Sequence, residues 1–177
     1  MGTGAFTQAE AARSVEVDVV TDENAYLRLT PTSPYAETRS GKLVIDFSEN
    51  GMGGQGVNKD SDYLFNDVFG IQNQGTNDNI YIAANVTGQL AGPDNNQILN
   101  LFRSSDGAAL TYPDPTTKFD NLDNKFAPKQ SDPTESLIYP QLDSGEGIHV
   151  GIDLTVDDVN TQELTGEINI IGVQEGT

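Results

Sequence analysis

The chain of 177 residues carries 27 acidic against 9 basic side chains, a formal net charge of −18, and no cysteine. Such a charge repels nucleic-acid phosphates and anionic membrane surfaces, and where ions are scarce it costs stability through self-repulsion. The lack of cysteine excludes a disulfide framework and thiol chemistry, while the length suits one domain with a real core.

Residues 1–13 form a leader of small residues, Gly2-Thr3-Gly4-Ala5-Phe6-Thr7 and then Gln8 to Arg13. It is too short and too rich in glycine to stand as an isolated helix, so we expect an extended N-terminal arm. Val15, Val17 and Val19 alternate with Glu16 and Asp18, the signature of a half-buried strand. After the turn residues Thr21 to Asn24, Ala25 to Leu29 predicts a second strand. Leu43, Ile45 and Phe47 alternate in a third, and Ser48 to Val57 reads as a glycine-rich loop. Tyr63 to Gln72 predicts a strand with an irregular start, and Asp60 to Phe65 suits a turn of helix. Ile80, Ile82, Ala84 and Val86 share one face of the next strand. Ile98 to Phe102 is a short apolar strand that ends at the turn Ser104-Ser105-Asp106-Gly107.

Tyr112 to Asp132, rich in Pro, Asp, Asn and Lys, reads as a long exposed loop. Ile148, Val150, Ile152 and Leu154 alternate with His149, Gly151 and Asp153. Thr155 to Leu164 suits another turn of helix, and Ile168 and Ile170 mark the last strand. Many short strands punctuated by turns predict an all-β protein. We expect a jelly-roll-like β-sandwich of about 8–9 strands, with residues 14–177 as a single domain behind the arm of residues 1–13.

Catalytic groups are sparse. His149 is the only histidine, on the polar face of its strand, and a zinc site needs several His or Cys ligands. No cofactor is implied. Acidic clusters at Asp60-Ser61-Asp62, Asp120 to Asn124 and Asp157-Asp158 could bind calcium weakly, yet none has the spacing of an EF-hand loop. Solvated loop carboxylates are the plainer reading in so acidic a chain. No G-x-S-x-G elbow is present. Gly51 to Gly56 lacks the lysine and the following helix of a phosphate loop. Asn85-Val86-Thr87 is an N-glycosylation sequon at the expected end of a strand, where Asn85 would be exposed. A spread acidic surface with few lysines is how a protein lives in concentrated salt, where screening removes the repulsion. With no run of about 18 apolar residues and no signal peptide, Met1 reads as an initiator in front of a mature secreted chain, extracellular or on the cell surface and not inserted in a membrane.

Several stretches carry a family resemblance. Gly2 to Thr7 with Glu10-Ala11-Ala12-Arg13-Ser14-Val15 resembles the start of mature haloarchaeal secreted proteins. Phe65 to Thr76 resembles the central strand motif of that group, Gly145 to Ile152 its late strand motif, and Leu164 to Ile170 its last strand. This group is similar to the TasA/camelysin biofilm-matrix fibre proteins and to archaeal bundling pili. Camelysin carries a protease label, but this chain has no HExxH and one histidine, so no protease activity carries over.

The resemblance implies a jelly-roll subunit that polymerises head to tail by donor-strand exchange, with Gly4, Ala5, Phe6 and Ala9 in the donated arm. Phe6 would be its one large anchor, and Ala5, Ala9, Ala11 and Ala12 would lie flat in a groove. Whether Val15, Val17 and Val19 belong to the donor or to the home domain stays open. We therefore expect a non-enzymatic structural subunit of an extracellular filament or biofilm matrix, a homopolymer that binds no nucleic acid. The alternative is a monomeric surface module that binds glycan or calcium.

Overall fold

The computed structural model describes residues 14–21, 27–47, 61–91, 98–111, 140–156 and 163–174. They form ten strands: β1 (Ser14–Thr21), β2 (Leu27–Pro31), β3 (Ala36–Arg39), β4 (Lys42–Asp46), β5 (Ser61–Asn73), β6 (Ile80–Gly88), β7 (Leu99–Arg103), β8 (Gln141–Leu142), β9 (Gly147–Val156) and β10 (Glu163–Gln174). A six-stranded sheet in the order β3-β4-β1-β10-β6-β8 packs on a four-stranded sheet in the order β2-β5-β9-β7. The expected all-β sandwich is what the chain forms.

From β4 to β10 each successive strand falls in the opposite sheet. That alternation is the winding of a jelly roll, and it explains the strand signals along the sequence. Residues of one parity fill the space between the sheets. Ile82, Ala84 and Val86 of β6, Ile168 and Ile170 of β10, and Val150, Ile152 and Leu154 of β9 are all fully buried. Leu43, Ile45 and Phe47 complete the core beside β1. Burying so much aliphatic surface, at about 25 cal/mol per Å², is the main favourable contribution to the fold.

Two contacts between the sheets mark the ends of the sandwich. At one end Phe47, just after β4, stacks on Phe65 of β5 with ring centroids 4.5 Å apart. At the other, the Asn73 amide at the end of β5 donates to the Leu142 carbonyl, and Leu142 pairs with Ile80 of β6. These are called below the aromatic end and the amide end.

Several local expectations need correction. Ser61 to Phe65 is strand, not a turn of helix, because Tyr63 and Phe65 pair with Leu154 and Ile152 of β9. The irregularity of β5 lies in its middle, between Phe65 and Phe69. Thr155 and Val156 continue β9 while Glu163 and Leu164 already belong to β10, so helix is excluded at both ends of that stretch, and its middle lies outside the described residues. Strands β3 and β8 and a 3-10 turn at Gln89–Ala91 carried no clear signal. β3 reads Ala-Glu-Thr-Arg and β8 has two residues, too little for any periodicity.

Close packing leaves a sharp requirement at Gly166 of β10. A Cβ there would lie 2.5 Å from the Thr87 carbonyl oxygen and 2.9 Å from the Leu90 side chain. The backbone oxygen cannot move without breaking the β6–β10 ladder. Gly166→Ala is expected to cost about 2 kcal/mol through overpacking. Gly70→Ala, whose Cβ would meet nothing closer than 3.7 Å, is expected to cost less than about 1 kcal/mol. Denaturant unfolding of both variants checks this, and equal losses would refute it.

Candidate assembly site at the N-terminal strand

The first strand has an unusual place. It lies inside the six-stranded sheet, antiparallel to β4 and parallel to β10. The β1–β10 pair is the only parallel pair among the named strands. Since β4 is antiparallel to β1, it is also antiparallel to β10. The two would flank a slot about 10 Å wide if β1 were withdrawn, two strand spacings.

Register fixes β1 on both sides. Val17 pairs with Ile45 and with Gly166, and Val19 pairs with Leu43 and with Ile168. The valines of β1 thus stand opposite apolar or glycine positions on both neighbours. By register Glu16 stands opposite Asp46 on β4, and Asp18 opposite Glu167 on β10. Asp46 meets Arg39 at 3.2 Å, and Arg39 also meets Glu37.

The N-terminal end of β1 lies at the aromatic end of the sandwich. Ser14 pairs with Glu163 and Glu16 with Asp46, the residue before Phe47. There Tyr35, Phe47, Phe65 and Tyr63 form a contiguous cluster, with centroid separations from 4.5 to 6.0 Å. Thr21, the last residue of β1, lies toward the amide end, where Leu27 of β2 pairs with Asn73. The arm residues Gly4, Ala5, Phe6 and Ala9 lie outside the described residues.

Asn85 stands differently from expectation. It is half-buried in the middle of β6, not exposed at a strand end, and pairs with Asn169 on β10. Sequence reasoning stopped β6 at Val86, whereas pairing with β10 runs on through Gly88.

His149 sits on the exposed face of β9, as its alternation implies, but it has a partner the sequence did not reveal. Its Nδ1 contacts Asp67 Oδ1. Asp67 lies in the β5 bulge, where residues 66–68 stand opposite Gly151 alone, and adopts a φ of 60°. The Asp67 N–H donates to Ser104 Oγ at 3.2 Å, and Thr32 Oγ1 donates to the Asp67 carbonyl at 2.8 Å. These contacts staple the bulge to β7 and β2. The only signal that could have found them was the break in alternation at Asn66-Asp67-Val68. The hydrogen bond with His149 holds the Asp67 carboxyl below the usual carboxylate range; slight burial opposes this, and Thr32 adds to it. Asp106 is likewise lowered, first by Arg103 and then by the Ala108 N–H.

At the amide end, acidic side chains are engaged by backbone. Asp143 accepts from Asn79 N–H, Asp78 from Ser144 N–H, and Glu146 from Asp143 N–H. Asn73 binds them into one unit: its amide donates to Asn77 and Leu142 carbonyls, and its oxygen accepts from Gly75 N–H. Among the described residues no group of three or more His, Cys, Asp or Glu side chains could hold a metal, and no helix is long and apolar enough to cross a membrane. Of the acidic clusters noted in the sequence, Asp120 to Asn124, Asp157-Asp158 and Asp60 lie outside the described residues.

The fold and site define a class of protein: an all-β sandwich of jelly-roll winding with its N-terminal strand wedged into one sheet. The chain belongs to the family described as protein of unknown function (DUF1102), which matches residues 19–177. The match begins inside β1, so residues 1–13 and Ser14 to Asp18 of that strand precede it. Comparison with curated proteins and with solved structures gives no match.

Two outcomes follow for the residues that close the loops. Asn73→Ala leaves the part-buried Gly75 N–H and the Asn77 and Leu142 carbonyls without their partner, an expected loss of about 2 kcal/mol in denaturant unfolding; a loss below about 0.5 kcal/mol would refute the role. Asp67 has a depressed carboxyl, so its contribution is present above about pH 3.8 and is lost as pH falls through its lower folded value. Both partners are largely exposed, so the contribution is under about 1 kcal/mol. Melting temperatures from pH 2 to 5 should fall less steeply for Asp67→Asn than for the parent; parallel curves would refute it.

Proposed function

We propose that this protein is a non-enzymatic structural subunit of an extracellular filament or matrix fibre, joined head to tail through residues 1–13. The observation that carries this reading is the anchoring of β1 in the middle of a sheet. A strand held on both sides by ladders is a firm root for the segment that precedes it. The arm therefore departs from a fixed point, Ser14, at the aromatic end, opposite the end where Thr21 leads on to the rest of the chain.

An extended arm recognises a neighbour by pairing its backbone with an available edge while its side chains enter pockets. Phe6 supplies the large apolar anchor, with Gly4, Ala5 and Ala9 permitting close approach. A link from one end of a subunit to a different surface on the next does not close on itself, so it propagates as a fibre. The acidic surface suits assembly in concentrated salt, where repulsion between subunits of charge −18 is screened. The secreted, halophilic setting belongs to this same reading, which rests on composition and on the resemblance of the arm.

Electron microscopy of the purified chain in molar salt tests it. Filaments are expected from the full chain, none after deletion of residues 2–12, and fewer or shorter ones from Phe6→Ala. Monomers at every salt concentration, or filaments that survive the deletion, would overturn the reading.

A further inference from the structure

We propose that a second copy of this chain is a partner for the β1 slot, and that β1 exchange closes into a reciprocal two-chain dimer rather than a fibre. This interaction is separate from that of the arm. It follows from where β1 joins the rest of the molecule.

In the folded chain β1 is the one element of the sheet interior that lies at the N-terminal side of everything it contacts. It can leave the slot between β4 and β10 without unthreading any other strand, because every other named strand follows it in the chain and joins it through Thr21. Residues 22–26 then connect Thr21 to Leu27, six Cα–Cα steps, a reach of at most about 20 Å. Both ends of this link lie at the amide end. Thr21 pairs with Ile170, beyond which β10 runs on to Gln174 opposite Ile80, and Leu27 pairs with Asn73, which bonds to Leu142 beside that same Ile80.

Parallel pairing with β10 fixes the direction of any β1 in the slot. A donated strand must therefore present its own Thr21 at the amide end of the acceptor. The body of the donor, starting at its Leu27, must then lie within about 20 Å of that point, and its own amide end faces the acceptor. The acceptor's displaced β1 leaves from the same end, and the nearest empty slot is the donor's. Two slots and two strands satisfy each other, which is a closed two-fold arrangement. A third copy would have to bring its amide end to the same place. Fibre growth is therefore left to the arm, which leaves from the aromatic end.

Every register contact is the same in the exchanged dimer, so concentration and the link decide between them.

The chain has no cysteine, so single cysteines report exchange cleanly. Chains carrying Glu16→Cys and chains carrying Asp46→Cys are mixed, unfolded in urea, refolded together at high protein concentration and oxidised. These two positions are paired within one sheet, at a separation a disulfide spans, and between different chains they meet only by exchange. The expected product on non-reducing electrophoresis is a linked species containing both variants. In the double variant Glu16→Cys/Asp46→Cys the expected products are one-chain and two-chain species only.

Both results should persist after deletion of residues 2–12, which separates this proposal from arm-driven assembly. No linked mixed species after co-refolding would overturn exchange. A ladder of three or more linked chains from the double variant would overturn closure.

Discussion

The pairing of β1 with β4 on one side and β10 on the other is the constraint on which the six-stranded sheet depends. Without it, β3 and β4 have no ladder to β10, β6 and β8. The inner residues Leu43, Ile45 and Ile168 all stand at register positions beside Val17 or Val19. Loss of β1 would therefore open the core along its length. A jelly roll closes its sheets by antiparallel neighbours from within the winding. Here the strand that would meet β10 is β4, and a strand from outside the winding stands between them. Parallel pairing is the mark of that origin, because β1 and β10 need no short connection between them.

This arrangement was only partly legible in the sequence. The alternation of valines with Glu16 and Asp18 predicts a strand and predicts that it needs a matching apolar partner. It contains no information on which strand that is, or on direction. Ladder partners separated by about 150 positions, as Val19 and Ile168 are, leave no local trace. The long core strands β6, β9 and β10 were readable because each buries one face and exposes the other, so hydrophobicity repeats every second residue. β3 escaped notice because only Ala36 among its four residues is buried. β8 escaped because two residues have no period. The bulge in β5 appears in the sequence merely as Asn66-Asp67 interrupting an apolar series.

The same contrast holds for the polar groups. His149 reads as a solitary exposed histidine, and in alternation terms it is one. Its contact with Asp67 exists because three residues of β5 stand opposite a single residue of β9, a register shift that only pairing reveals. In the sequence the acidic residues at the amide end are undistinguished loop carboxylates. Asp78, Asp143 and Glu146 each accept a backbone N–H instead, and such bonds to a charged acceptor are among the stronger ones a loop can make. Much of the acidic character at this end thus supports turns that must be held against one another while the chain passes between sheets.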